Sequence, residues 1–178
     1  MENAPKNRRG GRAPREQEEK QFDERVVSID RVARVVKGGR RFRFRALVVI
    51  GDKKGQVGIG IAKGADVQAA VSKAVDMAKK NLVRVPIQND TLPHESQAKV
   101  GGANIFVKPA SAGTGLIAGG VVRVVLEVAG YSNALSKSLG SANKINAAYA
   151  TLEALKSIKP QAEWVVKPAK LATAVKEK

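Results

Sequence analysis

The densest set of groups able to do chemistry is Lys37-Gly38-Gly39-Arg40-Arg41-Phe42-Arg43-Phe44-Arg45, where five of nine residues are basic and none is acidic. A guanidinium fork grips phosphate oxygens bidentately. The Gly-Gly pair tolerates the positive φ of a tight hairpin and lets another backbone approach closely. In a strand the run alternates, with Arg41, Arg43 and Arg45 on one face and Phe42, Phe44 and Ala46 on the other. A narrow basic ribbon of this kind fits a groove or a junction between nucleic-acid helices. Its phosphate contacts position without reading bases. Phe42 and Phe44 could act as stacking platforms for bases, but their alternation with arginine favours core packing. Further candidate phosphate contacts are Lys53 and Lys54 in the next turn, Lys63, and Lys79 and Lys80 at the end of a helix that also carries Lys73.

The second constellation is the glycine-rich run Ser111-Ala112-Gly113-Thr114-Gly115-Leu116-Ile117-Ala118-Gly119-Gly120. Such a loop can cradle phosphate when it opens a helix, but no G-K-[ST] ending follows, so it is not a Walker loop. Phosphoryl transfer also needs metal-binding carboxylates and a positioned base. The acids of the second half (Asp90, Glu95, Glu127, Glu153, Glu163 and Glu177) show no pairing pattern. The reading is therefore a tight turn against RNA or protein, not an enzyme. The chain has no cysteine, which excludes disulfides, thiolate catalysis and Cys-ligated zinc. Its single histidine, His94, cannot build a multi-histidine metal site and has the look of a loop residue. No cofactor is implied.

Composition points the same way. The 178 residues carry 32 Lys plus Arg against 16 Asp plus Glu, a formal net charge of +16. That much uncompensated charge is relieved by a polyanion, most commonly nucleic acid, through counterion release. A membrane partner would need an apolar anchor or an amphipathic basic helix, and neither is visible. No apolar run is long enough to span a bilayer, and no apolar signal region appears near the start; the expected location is the cytoplasm.

These groups must be held by ordered elements. The β-branched pattern of 26–36, the alternation from Arg41 and the apolar run Leu47–Ile50 read as two strands. Val57, Ile59 and Ile61 alternate with Gly58, Gly60 and Ala62, which predicts a third strand with one face so small that something packs closely upon it. Asp66 can cap a helix over 66–81 whose apolar stripe is Val67, Ala70, Val71, Ala74, Val75 and Ala78. Pro86 and Pro93 mark a linker. Strands are expected at 96–100, 103–109 and 131–138, and a helix at 143–157 capped by Asn143. Residues 121–129 fit either a strand or a helix. The boundaries expected are a basic arm at 1–24, domains at 25–84 and 85–160, and a loosely ordered tail at 161–178.

The run Val36–Asp52, followed in order by Gly55–Gly60, Lys108-Pro109-Ala110, Gly113–Gly120, Leu126–Gly130 and Gly140–Asn143, closely resembles the bacterial family of the fifth small-subunit ribosomal protein. The resemblance covers most of residues 26–157. It implies an α+β fold: a double-stranded-RNA-binding-like domain of three antiparallel strands and a helix, then a small two-layer α/β sandwich with a left-handed crossover and 118–129 helical. It implies binding to small-subunit ribosomal RNA near the junction of head and body, with the finger Lys37–Arg40 reaching toward the spectinomycin site. It also implies a role in decoding accuracy, a place beside the messenger RNA entry channel, and contacts with the fourth and eighth small-subunit proteins. The fourth-protein contact would use Lys99, Val100, Gly101, Gly102, Ala103 and Asn104. The eighth-protein contact would use the second domain. Many relatives have Asn-Pro where this chain has Asn143-Lys144, and the arm and tail match nothing in the family.

Overall fold

The computed structural model describes residues 22–160 and 163–164; the expectations for the basic arm and for most of the tail lie outside the described residues. The first sheet has the order β1-β2-β3-β4, from β1 (Asp23–Val36), β2 (Gly39–Gly51), β3 (Gln56–Gly64) and β4 (Leu82–Arg84), with α1 (Val67–Lys80) between β3 and β4. All its pairings are antiparallel. The expected three strands are therefore four. β4 is too short for any periodicity to announce it.

The apolar run of β2 is continuous because the strand is covered on both faces. Ala46, Val48 and Ile50 face Ala62 and the α1 residues Ala70, Ala74, Val75 and Ala78. Leu47 and Val49, with Val57 and Ile59 of β3, enter a second core shared with the other half of the chain. The small face foreseen on β3 is where α1 sits: a Cβ on Gly60 would lie 2.0 Å from the Ala74 carbonyl oxygen, and one on Gly58 would lie 2.5 Å from that of Ala78. Asp66 occupies the N-cap of α1 without a side-chain cap bond.

The second sheet has the order β5-β6-β8-β7, from β5 (Ser96–Val100), β6 (Ala103–Pro109), β7 (Leu116–Ile117) and β8 (Ala134–Ser138). β7 and β8 are parallel and are joined through α2 (Gly120–Ala129). The ambiguity at 121–129 thus resolves to a helix, closed by Gly130 at φ 104 and by the Tyr131 amide returning to the Leu126 carbonyl. α3 (Lys144–Lys156) begins where expected, because the Asn143 side chain accepts the Ile145 amide at 3.0 Å; the missing proline is not needed.

β8 is shorter than the expected 131–138. The amides of Ser132 and Asn133 instead bond the Asp90 carbonyl, while Tyr131 is buried. The segment marked by Pro86 and Pro93 is packed: Val85 and Leu92 are buried, and the Tyr131 hydroxyl donates to the Pro86 carbonyl at 2.9 Å.

Burial holds the Tyr131 phenol well above its ordinary range. The unfolded chain ionises this group near pH 10 and the folded chain does not. Its contribution to stability is therefore complete below about pH 10 and lost as pH climbs from there toward the raised native value. Tyr131→Phe is expected to cost about 1 kcal/mol at neutral pH by orphaning the Pro86 carbonyl. The same change should shrink the drop in denaturation midpoint between pH 8 and pH 11, which denaturant titrations at the two values would measure.

Candidate nucleic-acid interface

β1 and β2 pair all the way to Val36 opposite Gly39, but β3 pairs with β2 only from Phe44 onward. The hairpin beyond Phe44 therefore leaves the sheet as a two-stranded finger, protruding roughly 17 Å at about 3.3 Å per residue. The register puts Arg34 opposite Arg41, Val32 opposite Arg43, and Asp30 opposite Arg45. Directly opposed residues share a face. One face of the finger thus carries Arg34, Arg41 and Arg43. With Lys63 at the end of β3, these line a cavity of about 250 Å³ between them and Val32 and Ala33. Four cations surround this hollow with no carboxylate in its lining, an arrangement suited to a phosphate backbone.

The structure sorts the sequence candidates. Lys37, Gly38, Gly39 and Arg40 form the exposed tip. Arg41, Arg43 and Lys63 belong to the cavity. Arg45 stands apart: its Nη2 bonds Asp30 Oδ2 at 2.8 Å, so its charge is already answered. Arg34 is an addition to the sequence candidates: the hairpin turns at Lys37-Gly38, with Gly39 (φ 138) already paired to Val36, and this register places Arg34 opposite Arg41. Lys53 and Lys54 lie at the other end of β2, roughly 40 Å from the tip at the strand rise per residue. Lys53 is paired with Asp23 at 3.2 Å, and its amide bonds the Val128 carbonyl. Lys79 and Lys80 end α1 on that far side too, since Ala78 packs over Gly58 near the β2–β3 turn. Phe42 is not core, against expectation: it lies beyond the reach of β3 and is exposed, whereas Phe44 is half-buried against the α1 core.

The hairpin Lys99–Asn104 turns at Gly101, φ 57. Lys99, Gly101 and Gly102 are exposed, Val100 and Asn104 are half-buried, and Ala103 is fully buried. Ala103 can therefore support a contact only from beneath. The Gly102 carbonyl accepts the Ser141 amide and that of Asn104 accepts the Leu139 amide, which ties the hairpin to the residues after β8.

The glycine-rich run does not form an open phosphate cradle. The amides of Gly113 and Gly115 both donate to Asn133 Oδ1 at 3.0 Å. Asn133→Ala is expected to cost about 2 kcal/mol, since two amides lose their acceptor. Amide exchange should become faster at Gly113 and Gly115 while α3 stays protected, as hydrogen-exchange measurements on the variant would show.

His94 is more engaged than a plain loop residue. Its Nε2 accepts the Lys159 amide at 3.0 Å, which leaves Nδ1 to donate to the Glu95 carbonyl at 2.7 Å. Trp164, expected in a loose tail, stacks obliquely on that ring at 6.1 Å between centroids, and its indole N–H donates to the Lys159 carbonyl. Among the described residues no group of three His, Cys, Asp or Glu could hold a metal ion, and no helix is long and apolar enough to cross a membrane.

Two family models match the chain: ribosomal protein S5, N-terminal domain, over residues 22–86, and ribosomal protein S5, C-terminal domain, over residues 98–165. The second match runs a few residues past the expected boundary at 160. The small ribosomal subunit protein uS5 of Thermus thermophilus is 51% identical over 145 residues, covering 82% of this chain and 90% of the relative. Sequences of that protein from two strains of the same species match to the same degree. With both domain models matched in order on the α+β fold described above, the chain belongs to the ribosomal protein S5 family, structural components of the small ribosomal subunit and not enzymes.

Proposed function

We propose that this member of the family binds small-subunit ribosomal RNA near the junction of head and body, with its finger lodged between RNA helices. The observation that carries this reading is the acid-free cavity of Arg34, Arg41, Arg43 and Lys63 on a ribbon that stands clear of the sheet. A projecting two-stranded element reaches phosphates that a flat domain surface cannot, and its charges make that contact strong and salt-sensitive. In this position the protein borders the messenger RNA entry channel and supports decoding accuracy. The β5–β6 hairpin, through Lys99, Val100, Gly101, Gly102 and Asn104, meets the fourth small-subunit protein, and the second domain meets the eighth. Lys53, Lys54, Lys79 and Lys80 form a separate, weaker electrostatic footing at the far end of the first sheet. The working units are domains 25–84 and 85–160 with a shared core, an arm at 1–24 and a tail at 161–178, acting within the cytoplasmic ribosome.

Site-directed crosslinking tests the placement. A photoreactive group at Lys37 in assembled subunits should label ribosomal RNA from both head and body, and one at Lys99 should label the fourth protein. RNA crosslinks confined to one of the two, or a Lys99 adduct with some other protein only, would remove the reading.

A further inference from the structure

The face of the finger opposite the arginine cavity has a different chemistry. The register places Ala33 opposite Phe42, Val35 opposite Arg40 and Arg31 opposite Phe44, so these six side chains share one side of the ribbon. On that side the Arg31 guanidinium carbon lies 3.9 Å from the centroid of the Phe42 ring. A cation at this distance covers one ring face and fixes the ring's orientation. Phe42 nevertheless remains 49% exposed. The ring is braced by Arg31 and open to solvent at a point where neither β3 nor α1 covers the ribbon. Apart from Phe44, its neighbours on that side are aliphatic or cationic, and residues 31–45 contain no acid. A solvated phenylalanine with these flanks is poorly explained by folding alone, because Phe44, two residues along, already serves the core.

We infer that Phe42, braced by Arg31, is a stacking platform for one unpaired nucleobase of the RNA that the finger enters. The inference deepens the RNA-binding reading above and rests on it. A phenyl face stacks on any base, and an adjacent guanidinium adds attraction without needing a particular sequence. The surrounding cations, Arg31 and Arg40 on the same face, would hold the phosphates on either side of the extruded base. The two faces of the finger therefore do different work. The arginine cavity takes charge, and its contribution depends on salt. The Phe42 face takes a base, and its contribution is nearly independent of salt.

The test uses the full chain and two RNA hairpins that differ by one bulged adenine, with binding followed by fluorescence anisotropy over a range of salt. Wild type should favour the bulged hairpin roughly tenfold, within the range that a single base–aromatic stack supplies. Phe42→Leu keeps an apolar side chain of similar size but has no flat face. It should lose that preference while its affinity for the paired hairpin and its salt slope stay unchanged. Phe42→Trp should keep the preference. The chain has a single native tryptophan, Trp164, so in a Trp164→Phe background the Phe42→Trp indole should be quenched by the bulged hairpin only. Full preference retained by Phe42→Leu, or wild type binding both hairpins equally, would overturn the stacking role while leaving RNA binding intact. Wild type binding neither hairpin would overturn the RNA-binding reading itself.

Discussion

Replacing Arg34, Arg41 and Arg43 together by glutamine is expected to weaken binding to small-subunit ribosomal RNA by on the order of a hundredfold or more at physiological salt. The slope of log affinity against log salt should flatten by about 2 to 3, because each lost phosphate contact removes roughly 0.7–0.9 of a released counterion. The three side chains line one cavity with Lys63, and the fold does not need their charges, since they lie on the part of the ribbon that β3 leaves unpaired. Denaturation midpoints should move little. Arg45 supplies the internal contrast. It is paired with Asp30 at 2.8 Å across strands, so the double change Arg45→Gln, Asp30→Asn removes no net charge. It should leave the salt slope unaltered and cost stability only on the scale of a partly exposed ion pair, about 0.2–1 kcal/mol. Filter binding of the three proteins across a salt series would separate these outcomes. A slope change in the Arg45 variant as large as in the triple variant would mean that the cavity is not the focus of contact.

Gly60→Val should destabilise the protein by more than about 3 kcal/mol, beyond the ordinary range for a single substitution. The added Cβ would meet the Ala74 carbonyl oxygen at 2.0 Å and the Ala78 amide nitrogen at 2.7 Å. Both atoms are helix backbone, so relief requires α1 to lift off the sheet. Lifting it would open the core of Ala46, Val48, Ile50, Ala70, Ala74 and Ala78. For a chain of this length the melting temperature should fall by about 10 °C or more. Gly113→Ala is the control. Gly113 has φ +89, but a Cβ added there would meet no atom within 4 Å, so its cost should be confined to backbone strain of about 1–2 kcal/mol. Thermal melts of the two variants would show whether a glycine required by close packing costs more to replace than one required by its backbone conformation.

The Gly60 effect is foreseeable because alternation of Val57, Ile59 and Ile61 with Gly58, Gly60 and Ala62 marks a strand face with no bulk, which a helix can approach. The two faces of β2 are legible for the same reason. What alternation does not reveal is where the neighbouring strand stops. Phe42 and Phe44 occupy equivalent positions in the pattern, and only the end of β3 at Gly64, opposite Phe44, leaves one exposed and the other half-buried. Strands β4 and β7, of three and two residues, are shorter than any detectable period. Residues 121–129 defy periodicity because α2 buries Val122, Val125, Leu126, Val128 and Ala129, which covers so much of the helix that its valines also fit a strand. Charge locates the finger but overcounts its company. Lysines 53, 54, 79 and 80 are as basic as the tip, yet the length of β2 carries them to the opposite end of the sheet. Arg34 escapes notice because its strand is less densely basic than β2, and only the turn at Lys37-Gly38, one residue earlier than the Gly-Gly pair suggests, sets it opposite Arg41.

The most direct test of the central claim, that the basic face of the finger anchors this protein in the small subunit, is a sucrose-gradient profile of cells making both the wild-type chain and a distinguishably tagged Arg34→Gln, Arg41→Gln, Arg43→Gln variant. With magnesium present the wild type should travel with whole ribosomes, and after chelation with the small-subunit peak alone, while the variant stays near the top of both gradients. A variant recovered in the small-subunit peak in the same proportion as the wild type would contradict the claim.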